Sequence, residues 1–286
     1  IFVRINHPME LATKDIEAII WPGISGFMYP KASCEEIREL DALTETYERT
    51  RGITPGSLEI IPLIETAWGI LHAYDVATSS PRIKAMAGGV GLDTSLEIGC
   101  EPGPEIPHGI TMVQGIWSSV RELLILACTA AKIQPMGLGG LTRLADGTVI
   151  APTATGYRDA EGQYRSATLA RQMGYKGTTT VHPATIEPLN NGFTPTAAEV
   201  EWAQKGLLAF HEGLQQNMAS IAFEGRMFDI PAALRARQLI ARAEAIAKWE
   251  LMKKEAMNNL DDNEETLQKN IQRAEALSAT FTSGSL

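Results

Sequence analysis

The sequence predicts a parallel α/β fold, and three observations carry that expectation. Short apolar runs alternate with helix-like segments through residues 1–193. The clearest run, Ile60-Ile61-Pro62-Leu63-Ile64, is apolar without interruption, the pattern of a strand buried on both faces, as parallel strands are. Five polar residues, Arg4, Lys31, Glu65, Asp93 and His182, each fall at or just after the C-terminal end of a predicted strand. In an α/β barrel that is the rim where catalytic groups gather.

Residues 1–6 read as a strand that His7-Pro8 stops, because the residue before proline is held out of the helical region. Residues 13–21 fit a short helix, and 26–29 a second strand ended by Pro30. Ser33 opens a helix running to about residue 50: its hydroxyl can cap, and Glu36 three residues on completes a capping box. After the 60–64 strand comes a helix over 66–77. A strand over 83–87 then leads into Gly88-Gly89-Val90-Gly91-Leu92-Asp93. A long helix covers 116–132, and residues 134–164 form the least regular stretch, rich in glycine and turn signals. A helix over 166–173 and a strand over 177–181, ending at His182-Pro183, complete the alternation. From Thr194 the pattern is almost entirely helical, opened by Thr194-Pro195-Thr196 with proline suited to a first turn. It breaks once at 258–263, and the polar tail from 264 to about 279 reads as a solvated or oligomer-capping helix. The expected domains are therefore 1–193 and 194–286.

The 286 residues are 44% hydrophobic, enough to bury one large core, in one α/β barrel or two smaller domains. The 34 acidic residues outnumber the 25 basic ones, for a net charge of -9. That balance argues against nucleic-acid or anionic-membrane partners while allowing a small anionic substrate in a locally basic cleft. An aromatic content of 6% also speaks against base-stacking platforms. No apolar run reaches the ~18 residues of a membrane span, and no signal peptide is read at the start. Cys34, Cys100 and Cys128 form no CxxC pair, so they read as reduced thiols in the cytoplasm, or in the mitochondrial matrix of a eukaryote.

Glu65 closes the 60–64 run. A carboxylate at the end of an apolar strand is costly to desolvate unless it is paired or metal-bound. The alternative is a first-turn acid favoured by the dipole of the following helix. Asp93 follows a glycine-rich loop, and glycines let a backbone come close to a ligand; the alternative is a cap for a helix over 94–98. Two hard oxygen ligands at adjacent strand ends suit Mg2+, which takes one or two carboxylates and completes its shell with substrate and water. Gly-Gly-Val-Gly-Leu-Asp lacks the GxGxxG spacing of a dinucleotide site. Arg4 is suited to fork a carboxylate with two parallel hydrogen bonds, or to make a structural ion pair. Lys31 reads as a rim contact to a carboxylate or phosphate, with structural and Schiff-base roles as alternatives. His182 reads as an acid/base group near neutral pH or as a packing residue. His7, His72, His108 and His211 have no partner in the pattern.

Seven strings, in order over about residues 1–245, resemble the citrate lyase beta subunit and malyl-CoA lyase family of the HpcH/HpaI aldolase superfamily. They are Val-Arg-Ile-Asn at 3–6, Tyr-Pro-Lys at 29–31 and Pro-Leu-Ile-Glu-Thr-Ala-Trp-Gly-Ile at 62–70. Gly-Tyr-Lys-Gly at 174–177, Val-His-Pro at 181–183, Phe-Thr-Pro-Thr at 193–196 and Glu-Gly-Arg-Met-Phe-Asp-Ile-Pro at 224–231 complete the set. The resemblance implies a TIM (β/α)8-type barrel with a C-terminal helical extension that forms a lid and an oligomer contact, in a homotrimer or homohexamer. It implies Mg2+, with Mn2+ as the alternative ion, held by Glu65 and Asp93, Arg4 binding substrate, and Asp229 as the acid/base group. Asp229 has a plainer alternative, as the cap of a helix opening at Pro231.

The departures are specific. Two strands that precede Val-Arg-Ile-Asn in the family are missing here, which implies a barrel without its first strand–helix units. Leu92 stands where the family has a second acid beside the metal ligand. Pro135-Met136-Gly137 replaces the family's Ile-Asp-Gly strand. The implied activity is a magnesium-dependent carbon–carbon lyase that cleaves or forms a β-hydroxyacyl-CoA, malyl-CoA or citramalyl-CoA in type, through an enolate. The alternatives are a metal-dependent aldolase on free hydroxy or sugar acids, and a non-catalytic paralogue serving as a binding scaffold.

Overall fold

Strands β1 (Phe2–Arg4), β2 (Gly26–Tyr29), β3 (Glu59–Ile64), β4 (Ala85–Gly88) and β5 (Gln134–Met136) pair in that order, every pair parallel. Gly177 continues the sheet through a parallel bridge to Met136. The computed structural model describes residues 1–88, 92–99, 116–137, 142–143, 149–150, 160–180 and 182–261. Those residues establish the parallel α/β sheet; a closing strand is not among them. Among the described residues, eight α-helices belong to the same unit, Ile1–Phe193. They are α1 (Met9–Ile19), α2 (Cys34–Thr50), α3 (Ala67–Leu71), α4 (Ala73–Ala77), α5 (Leu92–Ile98), α6 (Ile116–Ala130), α7 (Ala160–Met173) and α8 (Ile186–Phe193). A two-residue antiparallel pair, β6 (Thr142–Arg143) with β7 (Val149–Ile150), lies between α6 and α7.

Side-chain alternation gives the sheet two buried faces. Phe27, Tyr29, Ile60, Ile64 and Met86 pack with the helices, among them Ala12 and Ile16 of α1 and Ile37 and Leu40 of α2. Ile61, Leu63 and Ala87 gather on the opposite face with Met28, Ala85 and Met136. This second face is what separates the uninterrupted apolar strand from the one-sided alternation of an exposed sheet.

The second unit, Thr194–Leu286, is built on α9 (Ala197–Gln215), opened by a capping box between Thr196 and Glu199. A hairpin of β8 (Ser220–Phe223) and β9 (Arg226–Asp229) follows, then α10 (Ile230–Asp261). The near-uniform helical expectation missed this hairpin. Its turn is Glu224-Gly225, both with positive φ, as a type I′ turn requires. Phe228 is its buried anchor, packed among Ala203, Phe210, Ala233 and Ala236.

Other departures have local causes. The helix expected over 66–77 is two short helices, because His72 leaves helical geometry with its ring stacked on Trp68 and bonded to Asp75. β5 falls inside the stretch expected to be irregular; Pro135 masks it, since proline reads against a strand. The strand expected over 177–181 is reduced to the bridge at Gly177, and Val181 lies outside the described residues. α10 runs through the break expected at 258, as far as Asp261, and the tail beyond lies outside the described residues. Cys34 and Cys128 are free and buried, and burial pushes the Cys128 thiol up to about 12; Cys100 lies outside the described residues. No helix of the described residues is long and apolar enough to cross a membrane.

Below the sheet, at the N-terminal ends of its strands, lies a buried ion cluster that the sequence reading did not anticipate. Glu48 of α2 is fully buried and accepts both terminal nitrogens of Arg82 at 2.8 Å. It also accepts the backbone N–H of Gly56 at 2.7 Å and of Leu58 at 2.9 Å. Arg82 reaches Asp41 as well, donates to the Leu58 carbonyl at 3.1 Å, and through its own carbonyl receives Ile60 N–H. Burial alone would raise the Glu48 pKa, but the Arg82 and backbone hydrogen bonds outweigh it and hold the carboxyl below its usual range. Arg82→Met should therefore cost about 3–5 kcal/mol, the penalty of stranding a buried charge. Because the folded Glu48 pKa is depressed, its contribution is present above about pH 4.3 and is lost as pH falls through the folded value. Urea unfolding midpoints between pH 3 and 7 check both statements. An Arg82→Met midpoint equal to that of the unaltered protein would remove the cluster from the stability argument.

Candidate active site

Strand parity brings the sequence-selected residues to one side of the sheet. Arg4 pairs in register with Met28, and Met28 with Ile61, all on the face away from the α1–α2 core. Glu65 follows Ile61 and Leu63 in the same parity, so it emerges at the top of that face. Leu63 and Ile64 pair with Ala87 and Gly88, which sets the chain leaving β4 beside Glu65. Gly88 is required here: its φ is +143, and a Cβ would lie 2.4 Å from the Ile64 carbonyl oxygen. The close approach that this glycine permits is thus to a neighbouring strand. Gly89, Val90 and Gly91 lie outside the described residues.

Asp93 stands in the first turn of α5, inside the helix and not at its cap. Its Oδ1 is 2.9 Å from Lys31 Nζ. Lys31 has φ 55, a left-handed conformation that costs a residue with a side chain about 1 kcal/mol or more. Hydrogen bonds bracket it. Tyr29 donates its hydroxyl to Glu36 Oε1 at 2.9 Å, while Ser33 donates its backbone N–H and hydroxyl to Glu36 Oε2. Glu36 completes the Ser33 capping box expected from the sequence and ties both flanks of Lys31 to α2.

Glu65 feels all three neighbours. Burial is the main cause that raises its pKa, and the Asp93 charge adds to it; the Arg4 and Lys31 charges and the Lys31 backbone N–H act against them. Its Oε2 is buried without a hydrogen-bond partner among the described residues. The site therefore joins two carboxylates to two cationic side chains. The described residues contain no cluster of three or more His, Cys, Asp or Glu, so zinc-type ligation is not offered there. A pair of oxygen ligands, one with an orphaned buried oxygen, fits a hard dication that keeps sites for water and substrate.

His182 is exposed and caps the 3-10 turn Pro183–Thr185, its Nδ1 accepting Ala184 N–H at 3.2 Å. This exposed cap is a local structural role that differs from the packing reading, and it leaves the acid/base reading untouched. Asp229 lies in the second unit, where its Oδ1 accepts Ala232 N–H at 3.0 Å, the cap of α10.

Residues 1–183 match the model of the HpcH/HpaI aldolase/citrate lyase family. The chain belongs to that family. The (3S)-malyl-CoA thioesterase of Cereibacter sphaeroides is 30% identical to this family member over 248 residues, 86% of this chain and 75% of that one. The citrate lyase subunit beta of Leuconostoc mesenteroides is 28% identical over 245 residues, 85% of this chain and 74% of its own. The fold is similar to that of the CitE protein of Mycobacterium tuberculosis in complex with magnesium, acetoacetate and coenzyme A. There the TM-score is 0.62 at 22% identity, over 85% of this chain and 77% of that one. Relatives that share the family include lyases, the L-malyl-CoA/beta-methylmalyl-CoA lyase of Cereibacter sphaeroides among them, as the ordered motifs implied.

In this aldolase/citrate lyase family member one positioning contact escaped the sequence reading. Glu97, one helical turn after Asp93, accepts the Ala67 N–H at 2.8 Å. It fastens α5 to the start of α3, just beyond Glu65.

The orphaned Glu65 carboxylate makes a stability prediction. Its folded pKa lies above the unfolded value, so the penalty is absent below about pH 4.3 and grows as pH rises through the folded value. Glu65→Gln should stabilise the metal-free protein at pH 7 by on the order of 1 kcal/mol, with the gain vanishing in acid. Thermal melts across pH check this; a variant less stable than its parent at pH 7 contradicts it.

Proposed function

We propose that the chain is a magnesium-dependent carbon–carbon lyase acting on a β-hydroxyacyl-CoA of the malyl-CoA type. One observation carries the reading: Glu65 and Asp93 stand with Arg4 and Lys31 at the C-terminal ends of adjacent parallel strands. Glu65 and Asp93 would hold the dication, which when bound supplies Lewis acidity toward the substrate's carboxylate and hydroxyl oxygens. Arg4 forks the carboxylate of the substrate, and Lys31 contacts the same group. Cleavage passes the hydroxyl proton to a base from solvent as the bond between the hydroxyl-bearing carbon and the carbon next to the thioester breaks. The hydroxyl carbon becomes the carbonyl of an oxo acid, and the bond's electron pair passes into the thioester enolate. Asp229 then gives that carbon its proton, and takes one from it in the reverse condensation. We place Asp229 in the site of a neighbouring subunit within a homo-oligomer.

A second reading has a specific observation behind it. The 30%-identical relative is named a thioesterase, and hydrolysis would use the same anchoring of the acid. The products decide. With Mg2+ and malyl-CoA, the lyase yields glyoxylate and acetyl-CoA without free thiol. Hydrolysis yields malate and free coenzyme A, seen as thiol release without an oxo acid. Chelation of the metal should abolish turnover. Free thiol without glyoxylate overturns the lyase in favour of hydrolysis.

Arg4→Lys keeps the charge but loses the planar fork, so kcat/KM should fall by roughly 30- to 160-fold, about 2–3 kcal/mol. Unchanged kinetics would remove Arg4 from carboxylate recognition. Mixing tests Asp229: inactive Glu65→Gln and Asp229→Asn chains, refolded together, should regain part of the activity. No recovery in hybrids shown to have assembled means that Asp229 serves its own chain or takes no part in the chemistry.

A further inference from the structure

Lys31 occupies the place where the metal reading needs a cation. Its ammonium lies 2.9 Å from Asp93 Oδ1, and its field also reaches Glu65. A dication held by the same two carboxylates would be repelled by an ammonium at that distance. We infer that Lys31 and the divalent cation are alternative counter-ions of Asp93, and that arrival of the cation frees the Lys31 ammonium for the substrate's carboxylate. The inference rests on the metal site proposed above and adds an order of binding: metal first, acid second.

Three observations support the exchange. The first is charge. With both carboxylates ionised, Arg4 and Lys31 balance Glu65 and Asp93. A dication then leaves a surplus of two positive charges. One substrate carboxylate and the one charge that develops on an enolate match that surplus, so the site is neutral at the point of bond cleavage. The second is mechanical. The root of Lys31 is held, at φ 55, between Tyr29 and Ser33, both bonded to Glu36. The four-carbon stem beyond is free to pivot, and the side chain is 40% exposed. The third is magnitude. An ion pair as exposed as Lys31–Asp93 contributes well under what a carboxylate gains from a dication, so the pair can close an empty site without blocking it.

The test uses the whole chain, magnesium alone, and glyoxylate as the acid. Calorimetric titration of Lys31→Gln should show Mg2+ bound roughly two- to fivefold more tightly than by the unaltered protein, the worth of an exposed ion pair. Glyoxylate should bind about tenfold more weakly to Lys31→Gln when Mg2+ is present, the loss of one charged hydrogen bond. Without Mg2+ the two proteins should not differ toward glyoxylate. Lys31→Asn, which tolerates positive φ, should repeat the pattern and exclude a folding defect. Mg2+ affinity unchanged or weaker in both variants overturns the exchange. So does a glyoxylate loss of equal size with and without Mg2+, which makes Lys31 a permanent anion ligand. Failure of the unaltered protein to bind Mg2+ overturns the metal reading itself, and the exchange with it.

Discussion

The register of β3 against β4 is the constraint on which the site depends, and the buried Glu48–Arg82 pair holds it from below. Arg82 precedes β4, Leu58 precedes β3, and Glu48 ends the buried stripe of α2; the pair joins all three. A parallel sheet slipped by one residue would turn Glu65 from the Ile61–Leu63 face into the helix-packed core. The charges themselves are poor stabilisers, since desolvating them cancels much of their attraction. Their directionality is what counts. Glu48 accepts four hydrogen bonds from fixed partners, and an apolar side chain of equal volume would specify none of them.

The opposite end of the sheet is arranged on other terms. Below, every buried oxygen of Glu48 is satisfied, and the carboxyl is held ionised. Above, one oxygen of Glu65 is buried without a partner among the described residues, and its pKa is raised. The two glutamates belong to the same unit and are equally formal anions, yet their surroundings shift them in opposite directions. Satisfied and unsatisfied carboxylates are thus divided between the two ends of the strands. Lys31 adds backbone strain at the end that carries Glu65, held in place by the Tyr29, Ser33 and Glu36 hydrogen bonds. Strain that the surroundings over-determine is expected where a side chain must be kept in a functional position.

What was legible in the sequence followed from periodicity and caps. The 60–64 run, the Ser33–Glu36 box and the opening of α9 at Thr196 are local patterns with one physical reading each. What was not legible depended on contacts distant in sequence. Glu48 sits four residues after buried Thr44 in the α2 stripe, where an apolar residue is expected; Arg82, 34 residues on, and the Gly56 and Leu58 N–H groups explain it. Glu97 reads as a solvated acid until α3 is placed against it. β5 was hidden by Pro135, whose carbonyl nonetheless accepts Lys176 N–H at 2.9 Å. The hairpin was hidden by the helices on either side, although Glu224-Gly225 was a turn signal in plain view. Arg4, Lys31, Glu65 and Asp93 were legible as candidates because strand ends are; that Lys31 pairs with Asp93 was not.

The cap that Asp229 makes is compatible with the proton transfer proposed for it. As a cap it uses one oxygen, Oδ1, to accept the Ala232 N–H. A cap fixes the rotamer, because the carboxylate plane must aim an oxygen at the first turn of α10. The other oxygen then points from a defined position instead of sampling several. A proton-transferring carboxylate needs the same property, since transfer demands an acceptor held within hydrogen-bond reach of the reacting carbon. β9 adds rigidity: the residue before Asp229 is Phe228, buried at the centre of the second unit's core. Capping and proton transfer therefore need not compete for this side chain. The lyase and thioesterase readings share the anchoring of the acid at Arg4 and Lys31, and they part at this step. Cleavage through an enolate would ask the oriented oxygen of Asp229 to deliver a proton to carbon, whereas hydrolysis would ask it to take one from the attacking water, so the same orientation serves either chemistry and the products are what separate them.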